Sequence, residues 1–397
     1  MRSLAAAAGV VALLVMGAGA SAEPGPQAPW GRQSVSLISA TALQRLVKLH
    51  VRVRGGRRWL AYVDGKPSET PSSETVGYAR VTTPGAHRIF VALAGQPRIR
   101  SRTVNVRLAR PAGPVIAAAG DIACDPNTNA FNDGRGSVRA CHQRATSDLV
   151  VNAGLNAVLA LGDLQYYCGA LAAFMYSYDP TWGRVKSITY PAPGNHEYQG
   201  GGAYGCEHGA QGYYTYWGWT AGDPIGGYYS FDLGAWHLIS LNSNCEDIGG
   251  CGPGSAEERW LRADLAAHPA RCTLAYWHKP RFSSGMHGND ATYTAFWRAL
   301  YRAGADVVLV GHDHDYERFA AQTPAGRADP SRGIRQFVVG TGGKTHYGFR
   351  TIRANSRVRN SGTFGVLRLT LHPSGYDWRF VPEPGKTFTD TGHGTCH

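Results

Sequence analysis

Five short stretches of the chain carry the residue types that metal chemistry uses: Gly120-Asp121, Gly162-Asp163-Leu164-Gln165-Tyr166, Gly194-Asn195-His196-Glu197, Trp277-His278-Lys279-Pro280 and Gly311-His312-Asp313-His314. Each places a carboxylate, amide, phenol or imidazole beside a glycine or at the end of an apolar run. Carboxylate and phenolate oxygens suit a hard trivalent iron, while imidazoles and an amide suit zinc, manganese or ferrous iron. Taken singly the stretches say little, because Gly-Asp is commonly a turn and Asn-His a loop. Their order, the apolar run before nearly every one and the His-x-His pair point together to one metal site.

The elements that must position these residues are short apolar strands alternating with helical segments from Val115 onward, the pattern of an α/β domain. Strands are expected at Val115–Ala119, Ala157–Leu161, Tyr228–Asn242, Thr273–Trp277, Val307–Val310 and Gln336–Val339. Helices are expected at Val138–Asn152, Ala256–Ala267 and Ala291–Ala303, the second opened by Ser255 with Glu258 three residues on, a capping box. Open α/β sheets hold ligands just beyond their strand ends, which is where the five stretches fall. Ahead of this region, Val47, Leu49, Val51 and Val53 alternate with polar residues, as do Ile89, Val91 and Leu93, and Val104, Val106 and Leu108. With turns at Asp64-Gly65 and Pro84-Gly85, residues 31–110 read as a small all-β sandwich. Pro111-Ala112-Gly113-Pro114 breaks the pattern as a linker, leaving 115–397 as the catalytic domain.

Over about 115–385 the sequence resembles the calcineurin-like metallophosphoesterases, and within them the purple acid phosphatase branch. Where other members carry Asp-x-His in the first stretch, this chain reads Asp121-Ile122-Ala123; the branch instead takes a tyrosine three residues after the second aspartate, the place of Tyr166. The resemblance implies a four-layer α/β/β/α sandwich and two metal ions, Fe(III) plus Zn, Mn or Fe. Asp121, Asp163, Tyr166 and His314 would hold the first, and Asp163, Asn195, His278 and His312 the second, with Asp163 bridging. It also implies that His196 and His287 touch the phosphate or protonate the leaving group. The implied reaction is hydrolysis of small-molecule phosphate monoesters by attack of a metal-bound hydroxide. Phosphodiester or nucleic-acid cleavage at the same centre stays open as an alternative, as does a protein that only binds anionic surfaces.

Composition bounds the setting. Residues 31–110 hold 15 Lys+Arg against three acids, a balance of +12, and the remainder is neutral. Such a module could hold an anionic cell-surface polymer, membrane or nucleic acid, but a solvated strand surface is the better reading, because the arginines form no helical basic stripe and have no interleaved stacking aromatics. Arg2, the apolar run Leu4–Val15 and Ala20-Ser21-Ala22 have the order of a cleavable signal peptide over 1–22, which predicts a secreted or extracytoplasmic protein. That apolar run falls short of the roughly 20 residues a membrane-spanning helix needs, and no later stretch reads as one. The eight cysteines lack CxxC spacing and read as disulfides, Cys245 with Cys251, Cys124 with Cys141, Cys168 with Cys206 and Cys272 with Cys396 being preferred; only the first is supported by its short loop. Gly340-Thr341-Gly342-Gly343 reads as a tight loop near the site, and the aromatics from Tyr213 to Tyr229, including Trp217 and Trp219, as packing rather than a substrate wall. His50, His87, His237, His268 and His393 fit no ligand pattern.

Overall fold

The computed structural model describes residues 33–43, 46–55, 58–68, 72–80, 85–108, 113–199, 206 and 208–397. The expected signal peptide, Pro84 and the start of the expected linker lie outside the described residues. The chain divides into two compact units, Met1–Pro111 and Ala112–His397.

In the first unit the period-two apolar pattern gives two sheets. One joins β1 (Ser34–Leu43), β2 (Leu46–Arg54) and β5 (Val76–Arg80) in the order β1-β2-β5. The other joins β3 (Trp59–Val63), β4 (Lys66–Pro67), β6 (Gly85–Leu93) and β7 (Gln96–Arg100) as β4-β3-β6-β7, with β8 (Val104–Leu108) also on β6. Val47, Leu49, Val51, Trp59, Ile89 and Val91 bury their side chains in the shared core.

The second unit has a six-stranded sheet built from β9 (Val115–Ala119), β10 (Ala157–Leu161), β11 (Thr189–Ala192), β19 (Gly365–His372), β20 (Gly375–Pro382) and β21 (Thr391–Thr395), ordered β11-β10-β9-β19-β20-β21. Its seven-stranded sheet comprises β12 (Tyr229–Leu233), β13 (Trp236–Ser240), β14 (Cys272–Tyr276), β15 (Val307–Val310), β16 (Tyr316–Phe319), β17 (Arg335–Val339) and β18 (Ser356–Asn360). Their order is β12-β13-β14-β15-β17-β16-β18. Every residue of β10, β14 and β15 is buried, which requires cover on both faces. Apolar side chains of both sheets, among them Val158, Leu274, Leu309 and Leu369, share one core. Helices Ala256–Ala267 and Thr294–Ala303 pack Leu261, Phe296 and Trp297 against the other face of the larger sheet. The second face of the smaller sheet is covered by short helical segments carrying Phe174 and Trp182. The result is the expected four-layer order.

Two expected elements differ. The helix expected over Val138–Asn152 is confined to Gln143–Asp148. Cys141, tied to Cys124, has φ 68° and Asn152 has φ 57°, so the backbone leaves helical geometry on both sides. The strand expected over Tyr228–Asn242 is a hairpin, β12 and β13, that turns at Gly234, whose φ is 67°. The strands β11, β16 and β18–β21 had no counterpart in the sequence reading. Ser255 caps its helix as expected, with Oγ accepting the Glu258 N–H. All four preferred disulfides are present. Among the described residues no helix is long and apolar enough to cross a membrane.

Candidate metal centre

Strands β9, β10 and β11 run parallel in one sheet, as do β13, β14, β15 and β17 in the other, so their C-terminal ends deliver side chains to one place. Asp121 follows β9, Asp163 follows β10, Asn195 follows β11, His278 follows β14, and His312 and His314 follow β15. At three of these positions the chain turns sharply: Asp121, Asp163 and His312 have φ of 59°, 49° and 71°. A residue with a Cβ resists that conformation by roughly 1–2 kcal/mol, so surrounding bonds must impose it. Glu197 supplies several of them. Its buried carboxylate accepts backbone N–H bonds from Asp163, Leu164, Gln165 and Gly194. Gly194 must lack a side chain, since a Cβ there would stand 2.2 Å from Asp163 N and Oδ1.

The side chains then converge. Tyr166 Oη lies 2.9 Å from Asp121 Oδ1, 3.0 Å from Asp163 Oδ2 and 3.0 Å from His314 Nε2. A phenol can donate to one carboxylate and accept from the imidazole, which leaves the second carboxylate without a proton. Burial and the two carboxylates hold its pKa well above the usual value, so a phenolate here requires a cation beside it. On the other side of Asp163, His278 Nε2 is 3.1 Å from Oδ2 and 3.2 Å from His312 Nδ1. His278 Nδ1 is 2.9 Å from the Leu161 carbonyl, which fixes it as the donor and turns Nε2 inward. Burial would lower the His278 pKa, but the Asp163 carboxylate holds it up to about 9, while burial and the facing His278 drive His312 well below its ordinary value. Asp163, His278 and His312 thus meet around a point that calls for a positive charge. Asn195 Oδ1 is buried with no hydrogen-bond partner. Such an orphan costs about 1–3 kcal/mol, and a bound cation would satisfy it. The donor set therefore fits two cations, a harder one on the Tyr166 side and a borderline one on the imidazole side.

Both expected phosphate-facing histidines border this group. His196 donates its backbone N–H to Asp163 Oδ1 and lies with its ring 4.2 Å from that of Tyr166. His287 stacks on His312 at 4.0 Å. Its Nδ1 is 2.8 Å from Asp313 Oδ1, an oxygen that also accepts the His287 N–H, so Nε2 is the nitrogen left for a ligand.

Sequence reasoning assigned no role to Glu197, Asp313, Thr345 or Tyr347. Thr345 Oγ1 is 2.8 Å from His314 Nδ1, and Tyr347 stacks on the His314 ring at 4.0 Å. Glu197 stands three residues after Gly194, the return half of a capping box, and that spacing could have revealed it. The other three had no such signal. The Gly340–Gly343 loop does brace the site: Gly342 N bonds Gly120 O, and the following Lys344 N bonds Asp121 O. Trp217 is core, whereas Trp219 is 96% exposed.

The pattern of the calcineurin-like phosphoesterases matches residues 115–316, half of the chain. Purple acid phosphatase 18 of Arabidopsis thaliana is 31% identical over 122 residues, 29% of this chain and 26% of that protein. Acid phosphatase A of Cryphonectria parasitica is 26% identical over 171 residues, 36% of this chain and 34% of its own length. The chain thus spans about a quarter to a third of the length of these curated relatives. Purple acid phosphatase PPD1 from yellow lupin (Lupinus luteus) seeds superposes with a TM-score of 0.58 at 14% identity, covering 90% of this chain and 73% of that one, a likeness of fold. By the matched pattern and the strand-end residues it spans, the chain belongs to the calcineurin-like phosphoesterase family.

Proposed function

We propose that the protein is a purple acid phosphatase-like enzyme that hydrolyses phosphate monoesters at a centre of two cations. Asp121, Asp163, Tyr166 and His314 hold the first, a ferric ion; Asp163, Asn195, His278 and His312 hold the second, a zinc, manganese or ferrous ion. The observation that carries this reading is Tyr166 Oη, placed within 3.0 Å of two carboxylates and an imidazole that a phenol cannot all satisfy. Once bound, two such cations supply Lewis acidity, a water of lowered pKa and charge to stabilise the phosphoryl group.

The chain's own residues do the rest. Glu197 and Gly194 hold Asp163 between the two halves of the site. His196, half-buried over Tyr166, faces a phosphoryl oxygen. His287, oriented by Asp313 and with its side chain 42% exposed, gives a proton from Nε2 to the leaving oxygen. Four disulfides support a place of action outside the reducing cytoplasm. The N-terminal unit, with its balance of +12, holds the enzyme to an anionic cell-surface polymer.

The test is spectroscopic. Protein purified without added metal should be purple or pink from charge transfer between Tyr166 and ferric iron, and Tyr166→Phe should bleach the band, weaken iron retention and leave residual activity. A colourless protein whose metal content the Phe variant leaves unchanged would remove Tyr166 from the site and contradict the assignment.

A further inference from the structure

The second strand of the N-terminal unit carries its charge in one row. Along β2, Val47, Leu49 and Val51 are buried, so Lys48, His50, Arg52 and Arg54 stand on the opposite, solvent face. Alternate strand residues are about 6.7 Å apart, so the row runs about 20 Å. Strand β2 is the middle of its sheet, and the β1 residues that pair with the row are Thr41, Ser39, Ser36 and Ser34. No acid occurs in β1, β2 or β5. Within 31–110 the acids are Asp64, Glu69 and Glu74, and Asp64 is engaged by His87 and the Arg88 N–H at the other sheet. Among the described residues none of the four basic side chains has an ion-pair partner, whereas Arg184, Arg262 and Arg318 of the second unit each pair with a carboxylate. Glu74, one residue before the Thr75 carbonyl that accepts the Val51 N–H, lies beside the row without pairing with it; a row of like charges without ion-pair partners repels itself, and a polyanion laid along it relieves that repulsion.

We infer that the outer face of β1-β2-β5, through Lys48, His50, Arg52 and Arg54, binds a linear phosphodiester polymer along the strand. This rests on the reading of the N-terminal unit as a polyanion-binding module and is independent of hydrolysis at the metal centre. The neighbours narrow the partner. The one large apolar side chain exposed among the described residues of this unit is Ile38, too little to anchor in a bilayer. The aromatic pair Tyr62 and Phe90 of the other sheet stack on each other at 4.8 Å with Arg100 over Phe90, and the row has a single aromatic register neighbour, Tyr78 opposite Lys48, where a nucleic-acid strand would call for a succession of stacking rings. What remains is a strand-long row of Lys48, Arg52 and Arg54 with serines at the paired β1 positions 34, 36 and 39, suited to a flexible chain of phosphodiesters without bases.

The full chain and two charge-matched triple variants decide the matter: Lys48→Glu/Arg52→Glu/Arg54→Glu on the row, and Lys66→Glu/Arg98→Glu/Arg102→Glu elsewhere on the unit. The probe is poly(glycerol phosphate), titrated across salt concentrations, with phosphatidylglycerol vesicles as the comparison. The row variant should bind at least about tenfold more weakly, and its slope of log K against log salt should be shallower by about 2, near 0.7 for each phosphate no longer neutralised. The control should change much less, and both should turn over a small phosphomonoester like wild type. Glutamine at the same three row positions, a milder change, should move affinity in the same direction. No binding by wild type would overturn the module itself, equal weakening in both variants would overturn the face, and binding to vesicles alone would overturn the polymer in favour of a membrane.

Discussion

Two groups in the second unit bring two histidines and an aspartate within 4.8 Å: Asp163, His278 and His312 at the strand ends, and His237, Asp264 and His268 between β13 and the helix Ala256–Ala267. By residue type they are alike. The second group is complete in itself: His237 has Nδ1 2.8 Å from Asp232 and Nε2 2.8 Å from Asp264, while Ser230 donates to Asp264 and His268 stacks on His237. The first group is held by left-handed backbone and a side chain-free Gly194, Asp163 touches an over-subscribed phenol, and the Oδ1 of Asn195 next to Gly194 is buried without a partner. In the proposed reading, the metal-holding group is the one whose surroundings leave atoms unsatisfied.

The largest expected contrast is chemical. If Asp163 bridges the proposed centre, Asp163→Asn should lower turnover of a phosphomonoester by about a thousandfold or more, while Asp264→Asn should leave turnover of the folded enzyme unchanged. Steady-state rates on both variants check this, and equal losses would erase the distinction. Next, Glu197→Gln puts an amide NH2 against backbone N–H groups that now share one carboxylate, so metal affinity should fall about tenfold to a hundredfold, measured by competition with a chelator. Unchanged affinity would mean that Glu197 shapes the loop without acting on Asp163.

On the ion-pair side the effect should be on stability. His237→Ala leaves Asp264 without its main partner and should cost about 3 kcal/mol in denaturant unfolding with no change in metal content. The pH dependence has a definite sign. Burial would lower the His237 pKa, but the bonds to Asp264 and Asp232 raise it above 6.5 overall, so its contribution is fully present below about 6.5 and is lost as pH rises through the folded value. The stability gap between wild type and His237→Ala should therefore narrow from pH 6 to pH 9, and a gap that widens would contradict the charged pair.

Much of this contrast was legible beforehand, for physical reasons. Asp121, Asp163, Asn195, His278, His312 and His314 announce themselves because a strand-end ligand needs an apolar run before it and often a glycine beside it. Strands such as Val115–Ala119 and Val307–Val310 are continuous apolar runs, which a sheet covered on both faces demands. The strands β18 and β21 were not legible, since β18 is Ser-Arg-Val-Arg-Asn and β21 is Thr-Gly-His-Gly-Thr, held by pairing rather than by apolar pattern, whereas β19 and β20 do alternate, with Leu367, Leu369 and Leu371 and then Tyr376, Trp378 and Phe380 buried, and were passed over. Asp313, Thr345 and Tyr347 were hidden because a residue that orients a ligand can come from any loop that passes within reach. His237 fits no ligand pattern in the sequence, and its two carboxylate partners come from separate elements that only the fold joins.

The most direct test of the dinuclear centre is elemental analysis of wild type, Asp163→Asn and Asp264→Asn purified without added metal. Two metal ions per chain, one of them iron, are expected in wild type and in Asp264→Asn, with both lost in Asp163→Asn; a wild type with one ion or none, or an Asp163→Asn variant that keeps its metals, would contradict a centre bridged by Asp163.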